Sequence, residues 1–392
     1  MRSLLTLASR FVMVILWCAT LLVLVGCDGD DDRRGGGTDL FQLAIDEAPG
    51  GALLSAWVDQ DGGADSIAYV AGGYVAVPRV DVADGNLGRL LRYEAGAFVT
   101  VCRTPQVLWW VQGGLDGTVV AAGQDGIVLR YREDDGSCDV SYVDGDWPSG
   151  LPTLWGLYGT HANDVRFVGG SVAPDGPKGV ILHWDGTTYV REPVPPGAEL
   201  NLFKIAKAED RLYVVGDGGT ILRRFDTGTG DWLADPPVPL GVDSTLFTIS
   251  CASTGISCVA VGGRSAGSVV ISDGMGGWRR NAQLSAPPGL NGVAVESYAS
   301  VYIVGERGQT LHYNGTGFYE PPRALTTNPL HGVASNTYLT IAVGGEIGNA
   351  TADQRGTILV RGTSSRAEYT LDGRVFEASG APRRALGDSD GQ

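Results

Sequence analysis

The chain has 392 residues, 43% of them hydrophobic, which is enough to bury a large core. Its 44 acidic residues outnumber 29 basic ones, for a formal charge of −15 at neutral pH. Such a surface repels phosphate backbones and anionic headgroups, which excludes nucleic-acid binding and suits cationic partners or simple solubility.

At the N-terminus, Arg2 and Arg10 precede an apolar stretch from Phe11 to Val25. Its charge and length fit a secretory signal rather than a full membrane span. The stretch runs into Leu24-Val25-Gly26-Cys27. These four residues, with the signal before them, resemble the lipobox of bacterial lipoproteins, where a peptidase cuts before the Cys and its thiol carries a diacylglycerol. The resemblance implies a signal peptide over residues 1–26, lipidation at Cys27 and stable anchoring through several acyl chains. Asp28 resembles the inner-membrane retention signal of enterobacteria, a rule that is not general, so inner and outer membranes both stay open. Residues 27–38 form the lipidated Cys and its tether. Asp30-Asp31-Asp32 and Gly35-Gly36-Gly37 are too polar and glycine-rich to pack. Removing residues 1–26 takes two arginines and no acid, leaving 27 basic against 44 acidic residues, a charge of −17.

From residue 39 to 375 one phrase returns seven times: a leucine opening an apolar run, a second run ending in Val-Gly or a close variant, then an aliphatic pair. Its first leucines align at Leu54, Leu108, Leu154, Leu202, Leu246, Leu290 and Leu330. Repeats of roughly 40–50 residues hold four short strands each, the size of one propeller blade. In one unit the strands read Leu202 to Ile205, Leu212 to Val215 and Thr220 to Arg224, with an outermost strand near Trp232. Gly216-Asp217-Gly218-Gly219 supplies a hairpin between the second and third, because glycine reaches positive φ without a Cβ clash. The fold class expected is therefore all-β, a propeller of seven four-stranded blades after the signal peptide, with a disordered polar tail over 376–392.

The strands are apolar on both faces, as expected where each blade lies between two others. Aromatics recur at the second position of the innermost strand (Trp109, Trp155, Phe203, Phe247) and read as inter-blade packing. Gly156, Gly292 and Gly332 thin the crowded centre. Insertions between Gly73 and Leu90, at Ser171 to Lys178, and at Glu346 to Arg355 belong to equivalent hairpins and should emerge on one rim, where binding tends to sit. Two segments can close the ring: Phe41 to Ile45 from the N-terminal side, or Ala367 to Leu371 from within.

With Cys18 in the signal and Cys27 lipidated, four cysteines remain to pair in an exported protein. Cys251 and Cys258 flank a hairpin connection and suit a bridge across it. Cys102 and Cys138 then pair by elimination, linking outer strands of adjacent blades. His183 and His312 fall at matching repeat positions, in Leu-His-Trp and Leu-His-Tyr, rather than in one site. His161 and His331 complete the set. No nucleophile elbow, His-Glu-x-x-His helix or phosphate loop is present, and no cofactor is expected. Asp59, Asp61 and Asp65 in Asp-x-Asp-Gly-x-x-Asp are weak metal candidates, since the closing Glu of a calcium loop is missing.

Val215-Gly216 to Leu222 and Val304-Gly305 to Leu311, each followed by an aromatic (Trp232, Phe318), resemble the repeats of the photosystem II assembly-factor and BNR/sialidase-like propellers, common in exported lipoproteins of myxobacteria. The likeness covers about residues 50 to 365. Assembly-factor members hold other proteins, which implies a non-enzymatic scaffold: a monomer, lipid-anchored in the cell envelope, that binds a protein or glycan. The alternative is a sialidase-like hydrolase or lyase acting on envelope carbohydrate, with rim carboxylates such as Asp164, Asp217 or Glu306 as acid and base. Against it, Ser272-Asp273-Gly274-Met275-Gly276-Gly277-Trp278 has the ingredients of an Asp-box in the wrong register. No arginine triad, tyrosine nucleophile and acid can be assigned.

Overall fold

Each repeat folds as an antiparallel sheet, and seven such sheets form the blades of a β-propeller. The computed structural model describes residues 41–378 apart from 227–229, 237, 241–244, 253–256, 275–276, 286, 349 and 363–365. The first strand of every blade is innermost: Ala52–Val58, Leu108–Leu115, Thr153–His161, Leu202–Ala208, Leu246–Cys251, Leu290–Ser297 and Leu330–Ser335 for blades 1 to 7. These strands pack against one another around the full circle, blade 7 against blade 1 included.

One register rule repeats in all seven blades. Leu53, Leu108, Leu154, Leu202, Leu246, Leu290 and Leu330 each pair with the glycine at or near the end of the second strand, and a bulge follows at once. All seven leucines are fully buried. The pairing corrects the alignment of the first unit, whose repeat leucine is Leu53 and not Leu54. Two adjacent leucines in an apolar run look alike, and only the cross-strand partner separates them. The central glycines are steric, as expected. A Cβ on Gly156 would stand 2.6 Å from the Phe203 carbonyl oxygen of the next blade, and one on Gly332 would stand 2.8 Å from Ser55 Cα.

The ring closes from the N-terminal side. Gln42–Ala48 pairs antiparallel with Gly356–Gly362 and becomes the outermost strand of blade 7. The other closing segment has a different place: Glu368–Leu371 adds in parallel to Ala97–Thr104, the outer strand of blade 1, and hairpins with Arg374–Glu377. That sheet therefore has six strands, and its last strand runs two residues beyond the expected end of the propeller.

Both disulfides form between the expected partners. Cys251 and Cys258 face each other across the first hairpin of blade 5. Cys102–Cys138 joins the outer strands of blades 1 and 2, with Cα atoms 6.0 Å apart. Closing a chain segment of 36 residues contributes about 2–4 kcal/mol by restricting the unfolded chain.

Candidate functional site

A bulge kinks its strand and re-aims the extra side chain. In this ring the bulged residues are Leu54, Trp109, Trp155, Phe203, Phe247, Asn291 and His331, all at the end of the inner strands where the second-to-third-strand hairpins emerge. Three of the aromatics make a continuous arc over blades 3 to 5. The Trp155 and Phe203 ring centroids are 5.0 Å apart, and those of Phe203 and Phe247 are 5.6 Å apart. Arg264 lies over the Phe247 ring at 5.4 Å. The packing expected of these residues is present. Phe203 and Phe247 are nevertheless only half-buried, so the arc also offers apolar surface.

Past Phe247 the bulged residues turn polar. Asn291 Nδ2 donates to Glu306 Oε1 and to the Leu330 carbonyl, both at 3.0 Å. His331 Nε2 lies 2.7 Å from the Gly345 carbonyl. Burial lowers the His331 pKa, which keeps the imidazole neutral, and the Nε2–H donates.

One charged residue sits immediately behind the arc. Lys204 follows the bulge of blade 4 and is 8% exposed. Its Nζ donates to the Trp155 carbonyl and stands 4.1 Å from the Trp110 ring centroid of blade 2. Gly156, at the equivalent position of the blade between, has no side chain to block that path. Burial pulls the Lys204 ammonium down to a pKa of about 7. Sequence reasoning missed this residue; a single lysine inside the apolar run Leu202 to Ile205 was its one signal.

The three insertions rise on the same face as the arc. In blade 1, Val77, Val82 and Leu87 bury against Leu54 and Val107, with Trp109 and Ile347 at the edge. The Gln354 amide of blade 7 clamps Val75 on both sides, accepting from its N–H at 2.8 Å and donating to its carbonyl at 2.7 Å. Blades 7 and 1 thus build a joined loop wall on the same face of the ring as the aromatic arc of blades 3 to 5. The blade 3 insertion is tied down by Lys178, whose Nζ donates to the Ser171 and Ala173 carbonyls. Two loop tips expose aliphatic side chains, Val80 at 91% and Val172 at 87%.

The rim carboxylates do not meet. Asp217 accepts from Asn201 Nδ2 and from Thr245 Oγ1, each at 3.1 Å. Glu306 accepts from Asn291, so both acids brace short turns in separate blades. Asp164 begins the second strand of blade 3, at the opposite end of the strands. There it lies 2.7 Å from His183 Nε2 and joins a network across blades 3 and 4. Arg166 Nη1 stands 3.7 Å from Asp164 and 3.8 Å from Asp226, and its Nε is 3.2 Å from Glu192. Glu192 also accepts from Arg224 and from the Trp232 indole, both at 2.7 Å. Burial would raise the Glu192 pKa, but these donors and the Arg166 charge outweigh it and hold the group below its usual value. Lys207 neutralises Asp226. The network pairs acids and bases of both blades, which ties the two blades together.

The remaining candidates separate. His183 and His312 occupy the same strand position in blades 3 and 6, as their repeat context implied. His161 pairs with Asp116 at 3.1 Å on the surface. Asp59 accepts from the Asp61 amide, and among the described residues no three His, Cys, Asp or Glu side chains form a metal-binding group. In the Asp-box-like segment, Asp273 accepts from the Gly277 amide and Trp278 donates to Asp235, with residues 275–276 outside the description. Cys27, the signal segment and the tether lie outside the described residues, as does the tail from 379 onward.

No protein-family profile matches the chain, and no curated protein matches it. Solved structures do. YCF48 bound to a D1 peptide is similar over 82% of this chain and 97% of its own, at 14% identity and a TM-score of 0.55. YCF48 from Cyanidioschyzon merolae covers 83% and 99%, at 11% identity and a TM-score of 0.57. Virginiamycin B lyase from Staphylococcus aureus covers 82% and 98%, at 10% identity and a TM-score of 0.56. At these identities the likeness establishes the propeller fold.

Proposed function

We propose that this chain is a lipid-anchored scaffold of the bacterial cell envelope, a monomeric propeller that holds an extended segment of a partner protein without catalysis. The observation that carries the reading is the face just described. An aromatic arc with half-buried Phe203 and Phe247 shares one face of the ring with ordered insertion loops, and apolar loop tips stand at Val80 and Val172. Aromatic platforms flanked by exposed aliphatics are the composition of protein-binding surfaces. The three rim candidates, Asp164, Asp217 and Glu306, lie apart among the described residues and are not paired for glycoside cleavage, which favours binding over hydrolysis. YCF48, a propeller of similar shape, is known bound to a peptide of D1. The anchoring in this reading is supported by the Leu24-Val25-Gly26-Cys27 sequence, and it leaves the inner and outer membranes both open.

The test is site-specific photocrosslinking in native membranes, with the crosslinker at Val80 or Val172 and, as control, at Glu209 on the opposite face. One partner band from both loop positions and none from Glu209 is expected. Phe203→Ala with Phe247→Ala should abolish it. Equal crosslinking from both faces, or a band indifferent to the aromatic substitutions, overturns the reading.

A further inference from the structure

At every blade interface one cross-strand pair on the second and third strands faces the outer half of the wedge. Five blades place at least one Tyr, Arg or His there: Tyr69–Arg92, Val120–Arg130, Arg166–His183, Tyr213–Arg223 and Tyr302–His312. These side chains reach the next blade or stack in the wedge. Arg130 lies 4.6 Å over the Trp184 ring of blade 3, and Tyr302 stacks on His312 at 4.5 Å. Blade 7 has only Ile341 and Val360, but the C-terminal hairpin covers that interface with buried Tyr369 and Leu371. Blade 5 has Val259 and Ile271, and among the described residues no hairpin covers them.

The result is a pocket of about 240 Å³ between blades 5 and 6. Its wall is mainly apolar, with Val259, Ile271, Val301, Ile303 and Phe318, while Asn281 and Ser297 add polar groups and the exposed Arg279 and Tyr298 complete the lining. Tyr298 is 81% exposed. Arg279 is exposed and, among the described residues, has no carboxylate partner, in a chain with a large excess of carboxylates. A cavity of about 150 Å³ takes benzene, so this one accepts a two-ring or short-acyl body. An apolar pocket with one or two polar groups at its entrance is the usual form of a small-molecule site.

We propose that the pocket between blades 5 and 6 binds a small amphipathic carboxylate, its apolar body in the wedge and its carboxylate on Arg279. The probe is 2-naphthoate, titrated calorimetrically into the full chain, with neutral 2-naphthamide as the comparison ligand. Saturable one-to-one binding of 2-naphthoate is expected. Arg279→Gln should weaken it about tenfold through loss of a charge-assisted pair and leave 2-naphthamide unchanged. Val259→Tyr with Ile271→His installs the pair that blade 6 carries and should abolish binding of both ligands. Val259→Phe serves as a second filler, with circular dichroism verifying the fold of each variant. Absence of saturable binding, survival of binding in the filled variants, or indifference to Arg279→Gln overturns the proposal.

Discussion

The interface between blades 7 and 1 and the interface between blades 5 and 6 begin from the same aliphatic pattern and end differently. Ile341 with Val360, and Val259 with Ile271, occupy equivalent positions and are equally good strand residues. At the first interface the C-terminal hairpin adds to blade 1 and completes a continuous cluster through Tyr93, Phe98, Tyr369 and Leu371. At the second, nothing among the described residues does so, and the wedge stays open. The lesson is that a short side chain at a blade boundary is a vacancy that some other element must fill. Whether it becomes core or pocket depends on chain far away in sequence.

Substitutions can break or sharpen that contrast. The largest effect is expected from Tyr369→Ala, which empties a site 1% exposed and should cost about 3–5 kcal/mol in denaturant unfolding. A loss below about 1 kcal/mol would mean that the hairpin does not seal the interface. Replacing Cys102 and Cys138 by Ala frees the outer strands of blades 1 and 2, next to that hairpin. The expected loss is about 2–4 kcal/mol, read by thermal unfolding with and without reductant. Smaller and more diagnostic is one change made in both places. Ile341→Tyr overpacks a filled interface and should cost about 1–3 kcal/mol. Val259→Tyr enters open space and should stay within about 1 kcal/mol of the parent. Equal penalties would erase the distinction.

A separate effect, read against pH rather than at one condition, concerns Lys204, whose folded pKa of about 7 lies below its value in an unfolded chain. Between these two values the unfolded state binds more protons, so this group makes stability rise with pH from about 7 to about 10. Below that window the buried charge is fully present and destabilising. Lys204→Met should therefore flatten the rise and be relatively most stable against the parent near pH 6. Denaturant midpoints across pH for the two chains measure it, and parallel curves would refute a perturbed lysine.

Much of the fold was legible along the chain. The recurring leucine and Val-Gly phrases located seven blades, the glycine-rich turns located their hairpins, and cysteine spacing within one hairpin paired Cys251 with Cys258. These are local signals, because strand period and turn chemistry act over a few residues. The insertions were also placed on one face, since equivalence within a repeat carries direction with it. The site was less legible. The bulge that sets Trp155, Phe203 and Phe247 into one arc shows only in cross-strand register, and the same uncertainty produced the one-residue slip at Leu54. Lys204 over Trp110 spans three blades. Asp164 reads in sequence as a rim carboxylate like Asp217 and Glu306, and only the strand direction puts it at the opposite end.

The sequence by itself determined the architecture, the repeat unit, the Cys251–Cys258 pair and the acidic charge, because each follows from residues close in the chain or from composition. The tertiary structure alone decided how the ring closes, which blade the C-terminal hairpin joins and which interface stays open. Phe41 to Ile45 and Ala367 to Leu371 are both apolar extended segments with free backbone groups to pair. Which of them meets Gly356–Gly362 depends on where the two chain ends arrive once the seven blades have packed.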